Sequence, residues 1–185
     1  MFRTAIGAMV LGVMMHSPVW AQKIKLTTSM GDIVLQLDAE KAPKSVANFL
    51  AYVKSGHYSG TVFHRVIDGF MIQGGGMSAD LAEKPTRPPI ALEARNGLIN
   101  QRGTVAMART MVADSATAQF FINLSDNAFL DAANSRDGNG YAVFGRVIEG
   151  MDVVDKIRAT PTSNKGPHAN VPVESVLIKK ATLEK

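Results

Sequence analysis

One short stretch of the chain combines a cation, an amide and several large apolar side chains. It spans residues 63–75 and contains Arg65 and Gln73. Its pattern predicts two short strands joined by a turn at Asp68-Gly69. Because a guanidinium is strongly hydrated, a strand that sets Arg65 among Phe, Met, Val and Ile needs a reason. Either the arginine forms a structural ion pair, or it faces a ligand across an apolar floor.

Two later segments repeat this mixture of polar and apolar side chains. Residues 119–123 read Gln-Phe-Phe-Ile-Asn, and residues 106–109 read Ala-Met-Ala-Arg. Both segments fall in stretches that we predict to be short strands. We expect the three segments to form three walls of one site.

The bulk composition is that of one compact globular domain. The chain has 185 residues, of which 46% are hydrophobic and 19% charged. This composition argues against disorder and allows a full core. The net charge of +4 comes from scattered Lys and Arg side chains, so it does not predict nucleic-acid binding. The lack of Cys excludes disulfides, a thiol nucleophile and thiolate metal sites.

Other kinds of active site find little support. A hydrolase triad of Ser115, His64 and Asp114 lacks the Gly-x-Ser-x-Gly turn that presents a serine nucleophile. The glycines at 74–76 are not followed by the Lys-Ser/Thr pair of a phosphate-binding loop. The histidines lack the spacing of metal ligands, and we expect neither a metal nor a cofactor. We expect His64 to be a buried, hydrogen-bonded residue.

The first 21 residues have the pattern of a secretory signal peptide. Arg3 supplies the positive start, residues 4–15 form an apolar segment too short to span a bilayer, and Val-Trp-Ala, ending at Ala21, resembles a cleavage site. We expect cleavage after Ala21, export and no membrane attachment afterwards. The single Trp is Trp20, so the mature domain, residues 22–185, would contain none.

The mature chain reads mainly as short strands. Residues 24–37 alternate between apolar and polar side chains as a half-buried hairpin does. Further strands are predicted at 61–66, 70–74, 104–108, 120–123, 141–148 and 173–182, and exposed loops at 78–97, 110–117 and 132–140.

Two segments change to a helical period. Residues 41–55 place Val and Leu side chains on one stripe, with Pro43 near the start and Gly56 at the stop. Ala42 would be a poor N-cap for this helix. Residues 150–159 form the second predicted helix. The hairpin spacing of the strands predicts a mainly β fold, an antiparallel sheet closed into a barrel and plugged by helices.

These segments resemble the cyclophilin family of peptidyl-prolyl cis-trans isomerases. The resemblance is carried by Phe-His-Arg-Val-Ile at 63–67, Gly-Phe-Met-Ile-Gln-Gly-Gly at 69–75, Gln-Phe-Phe-Ile at 119–122 and Val-Phe-Gly-Arg-Val at 143–147. Order and spacing agree over nearly all of the mature chain, and the leader adds a similarity to the secreted, periplasmic bacterial members. The resemblance implies an eight-stranded antiparallel closed β-barrel capped by two α-helices.

The resemblance also implies a role for each site residue. Arg65 would be the catalytic cation, and Gln73 would hydrogen-bond the substrate backbone beside it. Arg109 would contribute its main chain to the groove. The other positions are those of the proline pocket, Phe70, Met71, Phe121 and Leu130, and those along the groove, Ala108, Gln119, Phe129 and Tyr141.

Several positions depart from the better-known pattern of the family. Phe129 stands where many members have Trp, Tyr141 where they have His, and Arg109 where Asn is more usual. The loop at 132–140 is longer than usual. Because the resemblance links that Trp to cyclosporin binding, we expect weak inhibition by cyclosporin.

The implied substrates are proline-containing unfolded or partly folded polypeptides. We expect a monomer that binds no nucleic acid and assists the folding of exported proteins. An alternative function is a non-catalytic chaperone that holds proline-containing segments in the same pocket.

Overall fold

The computed structural model describes residues 22–184, and the predicted signal peptide lies outside them. Eight strands form a closed barrel in the order β1-β10-β3-β4-β6-β5-β7-β2, and every neighbouring pair is antiparallel. The barrel strands are β1 Lys23–Thr28, β2 Gly31–Leu37, β3 Thr61–Ile67, β4 Met71–Ser78, β5 Thr104–Met107, β6 Phe120–Asn123, β7 Val143–Glu149 and β10 Leu177–Leu183. The predicted eight-stranded antiparallel barrel is thereby confirmed.

The structure also contains a hairpin that the sequence did not predict. Strands β8, Thr162–Lys165, and β9, His168–Pro172, form a separate two-stranded sheet. The sequence predicts no strand between residues 159 and 173, and the first strand of this hairpin, Thr-Ser-Asn-Lys, has no apolar side chain to alternate. The last barrel strand starts at Leu177 rather than at the predicted Val173, which is 53% exposed.

Side chains alternate across the barrel wall, as the pleat of a strand requires. On β4 and β6, Ile72 pairs with Ile122, and both are buried in the barrel core. The neighbouring residues Met71 and Phe121 belong to a second apolar cluster. The wall therefore has a core on its inside and a separate apolar surface on its outside.

Helix α1, Pro43–Lys54, closes one part of the barrel and confirms the first predicted helix. The buried ring of Phe49 lies 5.0 Å from that of Tyr58, 5.4 Å from Phe120 and 5.1 Å from Phe144, measured between centroids. Edge-on and tilted contacts at these separations are favourable for aromatic rings. The helix thus packs its apolar stripe onto the core.

The N-terminus of α1 is capped by a residue distant in sequence. Ala42 makes no side-chain cap, as expected. Instead, the carboxylate of Glu93 accepts hydrogen bonds from the backbone N–H groups of Lys44, at 3.0 Å, and Ser45, at 2.8 Å. The Ser45 hydroxyl donates a third bond at 2.7 Å. A carboxylate at this end of a helix satisfies free N–H groups and opposes the helix dipole.

Helix α2, Met151–Arg158, confirms the second predicted helix. It buries Val153, Val154 and Ile157. Gly150 precedes it with φ +85°, and a Cβ there would overlap the carbonyl oxygen of Asp32. Only glycine fits this close approach without strain.

We predict that Glu93→Ala lowers the free energy of unfolding by about 1–2 kcal/mol, because the first turn of α1 loses its cap. Urea denaturation measures the change. The matched control is Glu40→Ala, at an exposed acidic residue that precedes the same helix. Equal midpoints for the two variants would contradict the capping role.

Candidate active site

The two predicted catalytic residues, Arg65 and Gln73, lie in a row that crosses four neighbouring strands. The registers pair Arg65 on β3 with Gln73 on β4, Gln73 with Phe121 on β6, and Phe121 with Ala106 on β5. Directly paired residues on antiparallel strands project from the same face of a sheet. The three sequence segments predicted as walls of one site are therefore adjacent in the fold.

The guanidinium of Arg65 has an amide as its neighbour. Its Nη1 donates to Gln73 Oε1 at 3.4 Å, and Gln73 Nε2 donates to Gln119 Oε1 at 2.8 Å. Within residues 22–184, no carboxylate forms an ion pair with Arg65. The described residues thus give no support to a structural ion pair, and the two glutamines orient the cation without neutralising it.

A glycine makes room for the second glutamine. A Cβ at Gly76 would overlap the side chain of Gln119. The position of Gln119 in turn directs its Oε1 to Gln73. Gly76 therefore allows close packing beside the site.

The apolar floor of the site is the outer cluster of the barrel wall. Met71, Phe121 and Leu130 are at most 8% exposed there. Phe70, Ala108 and Tyr141 are partly buried and pack against the same cluster. Every predicted pocket residue lies in this cluster.

Two aromatic residues frame this floor. Phe129 is 57% exposed, and its ring stacks on that of Phe70 with 5.6 Å between centroids. The Tyr141 ring meets Phe121 edge-on at 5.7 Å. Two of the three positions where the sequence departs from the better-known pattern, Phe129 and Tyr141, therefore touch a pocket residue.

Arg109 follows the end of β5 beside this floor. Among the described residues, neither its backbone N–H nor its C=O takes part in a hydrogen bond, whereas the N–H of Ala108 is bound to Gln119 O at 3.0 Å. The Arg109 backbone can therefore pair with an extended peptide. Its side chain is 2% exposed and paired with Asp137, an arrangement that the sequence did not indicate.

A network of amide side chains behind the pocket also went unpredicted. Buried Asn123, the last residue of β6, donates to Asn100 Oδ1 at 3.2 Å and accepts from Asn127 Nδ2 at 2.8 Å. Asn127 Nδ2 also donates to the carbonyl of Phe70 at 2.9 Å. The network holds the short 3-10 helix Ala128–Leu130 against the pocket. The one sign of this network in the sequence is Asn123, a polar residue at the end of an apolar strand.

His64 lies behind Arg65, 6% exposed, as predicted. Its Nδ1 has no hydrogen-bond partner among residues 22–184, so the expected hydrogen bond is missing at that atom. Burial lowers the pKa of the ring to about 4. The imidazole is therefore neutral at pH 7 and adds no second charge next to the guanidinium.

Other features of the structure lie apart from this row of residues. A cavity of about 530 Å³ is lined by residues that include Leu37, Ile99 and Arg146 and by none of the predicted site residues, although Val143 of the outer cluster borders it. In the part of the chain that the structure describes, no three His, Asp or Glu side chains converge as a metal site. No helix among residues 22–184 is both long and apolar enough to cross a membrane.

Arg65, Gln73 and Phe121 thus lie in one row beside the apolar floor. The model of the cyclophilin type peptidyl-prolyl cis-trans isomerase family matches residues 23–183. The chain belongs to this family. The implied isomerase activity on proline-containing peptides is thereby supported at the level of the family.

Relatives and solved structures agree with the assignment. The chain is 54% identical to peptidyl-prolyl cis-trans isomerase A of Dickeya dadantii, over 95% of this chain and 94% of that protein. It is 54% identical to isomerase B of Escherichia coli, over 84% and 96%. A cyclophilin type isomerase of Cryptosporidium parvum superposes with a TM-score of 0.73 at 28% identity, over 90% of this chain and 99% of the other.

The low pKa of His64 predicts a pH dependence of stability. The unfolded histidine titrates near 6.5 and the folded one near 4, so between these values the unfolded chain binds the extra proton. We therefore expect the free energy of unfolding to fall as the pH drops below 6.5. The total loss should be about 3 kcal/mol at pH 4 and below.

The comparison is His64→Leu, which replaces the ring with an apolar side chain that cannot titrate. Urea denaturation between pH 7 and pH 4 should show the wild type losing stability faster than this variant. Parallel curves for the two proteins would contradict the prediction.

Proposed function

We propose that Arg65 catalyses rotation about X-Pro bonds by stabilising the twisted imide. A planar amide resists rotation with a barrier of about 18–20 kcal/mol, because its resonance must be broken. In the twisted state the nitrogen regains its lone pair. A cation or N–H donor held near that nitrogen stabilises the twisted state more than the planar one, which lowers the barrier.

The arrangement around Arg65 supports this role. Gln73, which is itself held by Gln119, contacts the guanidinium through a neutral amide, so the charge of Arg65 remains available. Rotation breaks no bond and transfers no proton. The neutral, buried state of His64 is consistent with a reaction that needs no general base.

The proline ring would occupy the apolar floor formed by Met71, Phe121 and Leu130. Gln73 and the open backbone groups of Arg109 would bind the peptide on either side of it. The related isomerase of Cryptosporidium parvum has been crystallised in the presence of the dipeptide Ala-Pro, which supports a prolyl peptide as the ligand.

The expected energies are compatible with one dominant cation. Raising a rotation rate from ~0.01 to ~1000 per second requires about 7 kcal/mol of barrier lowering. One preorganised donor contributes roughly 3–4 kcal/mol. Exclusion of water and binding of a partly twisted peptide would contribute the rest.

We also propose that the enzyme acts on exported proteins as a monomer in the periplasm. The support is the signal-peptide pattern of residues 1–21, which lies outside the described residues. A folding role follows chemically, since uncatalysed X-Pro isomerisation takes tens of seconds or longer and can limit folding.

The decisive experiment compares wild type with Arg65→Ala on an X-Pro peptide. We expect kcat/KM to fall about 100-fold to 1000-fold, the usual cost of removing a transition-state donor. The matched control is Arg146→Ala, since Arg146 also donates to a glutamine, Gln36, at 3.0 Å, but lies outside the groove.

The same pair of variants separates the enzyme from a non-catalytic chaperone. A chaperone would show no isomerase rate in the wild type, and peptide affinity would be unchanged in Arg65→Ala. Equal isomerase rates in wild type and Arg65→Ala would refute the proposed mechanism.

Cyclosporin should bind weakly because Phe129 offers no N–H donor at the rim of the pocket. We predict that Phe129→Trp tightens cyclosporin binding about tenfold, the value of roughly one net hydrogen bond. In the protein without its leader, the introduced indole would be the only tryptophan, so its fluorescence reports the titration. Nanomolar affinity in the wild type would contradict the prediction.

A further inference from the structure

The guanidinium of Arg109 is enclosed by acceptors. Its Nε donates to Gly140 O at 2.8 Å, its Nη1 to Thr110 O at 3.0 Å, and its Nη2 pairs with an Asp137 oxygen at 2.5 Å. With 2% of the side chain exposed, this cation cannot offer its charge to a substrate. A buried, paired arginine in which each of the three nitrogens donates a hydrogen bond is a structural element.

The same guanidinium supports the ring of Tyr141. Its central carbon lies 4.6 Å from the ring centroid, within the range of a cation–π contact. The other contact of the ring is its edge-on packing on Phe121. Tyr141 is therefore held between a buried cation and the floor of the proline pocket.

Asp137 links this contact to the loop that precedes Tyr141. Its Oδ1 accepts from the backbone N–H of Asn139 at 3.0 Å and of Gly140 at 3.4 Å. The Arg109 guanidinium holds the pKa of this carboxyl below its usual range, so Asp137 faces the guanidinium as a carboxylate at neutral pH. Gly140 has φ +70°, and a Cβ there would lie 2.5 Å from Ala132 N. The loop reaches Tyr141 through a turn that the ion pair fixes.

We propose that Arg109 is a positioning residue that preorganises the Tyr141 wall of the peptide groove. The guanidinium fixes the loop at 137–140 and the plane of the Tyr141 ring before substrate arrives. Preorganisation of a binding wall mainly improves affinity, because fewer groups must be ordered when the ligand binds. The inference rests on the proposed function, since it assumes that the peptide lies against Phe121 and Tyr141.

The test uses Arg109→Met, which keeps an apolar stem and removes the guanidinium. For an X-Pro peptide we expect KM to rise about fivefold to tenfold and kcat to change less than about twofold. Arg109→Lys should recover little of the loss, because an ammonium cannot bridge these acceptors or stack on a ring as a planar guanidinium does. Arg146→Met is the matched control and should leave both constants unchanged.

A double-mutant cycle with Tyr141→Ala tests whether Arg109 acts through the ring. If it does, adding Arg109→Met to Tyr141→Ala raises KM no further, and ring relaxation measured by NMR shows a more mobile Tyr141 in Arg109→Met alone. The proposal would be overturned if the effects of the two substitutions on KM simply multiplied in the double variant. It would also be overturned if Arg109→Met changed neither KM nor the mobility of Tyr141.

Asp137→Asn provides a second route if Arg109→Met does not fold. It leaves the arginine in place but removes its charge partner, so KM should rise in the same direction by a smaller factor. An unchanged KM in this variant would count against the proposal. Failure of the Arg65 mechanism would instead appear as an unchanged kcat/KM in Arg65→Ala, whereas peptide affinity and Tyr141 mobility would still report on Arg109.

Discussion

The alternation of side chains across the barrel wall is the constraint on which the site depends. On β4 and β6, one residue in two enters the core, and the next faces the groove. Ile72 and Ile122 are examples of the first kind, and Gln73 and Phe121 of the second. A shift of one residue would move every side chain to the other face. Because the barrel is closed, each strand is paired on both edges, so the register that builds the core also aligns Arg65 with the floor of the pocket.

The parts of this architecture that follow local patterns were predictable. The alternation in β1 and β2, the helical stripe of α1 and the turn at Asp68-Gly69 each depend on neighbouring residues alone. The site could be assembled from three separate segments because each carried an unusual mixture of polar and apolar side chains. The order of their strands around the barrel could not be predicted in this way, since strand order is not a local property.

The parts that escaped prediction depend on contacts between distant residues. Glu93 caps α1 from 48 or 49 positions along the chain. Asn123 is satisfied by Asn100 and Asn127, which lie on other elements. Arg109 was expected to contribute its main chain, yet its side chain pairs with Asp137, which is 28 positions away in a loop that has no regular pattern. Polar groups of this kind are buried only when the tertiary structure supplies their partners, which periodicity cannot show.

The two arginines of the site show how the partner of a cation determines its use. Arg65 is partly exposed and contacts a neutral amide, which restrains the guanidinium but leaves its field intact. Arg109 is enclosed and paired with a carboxylate, so its charge acts only on its immediate contacts, the Asp137 carboxylate and the Tyr141 ring. An amide partner suits a charge that must stabilise a transition state, because no competing anion has to be displaced. A carboxylate partner suits a charge that must stay buried, because an unpaired one would be too costly to hold there.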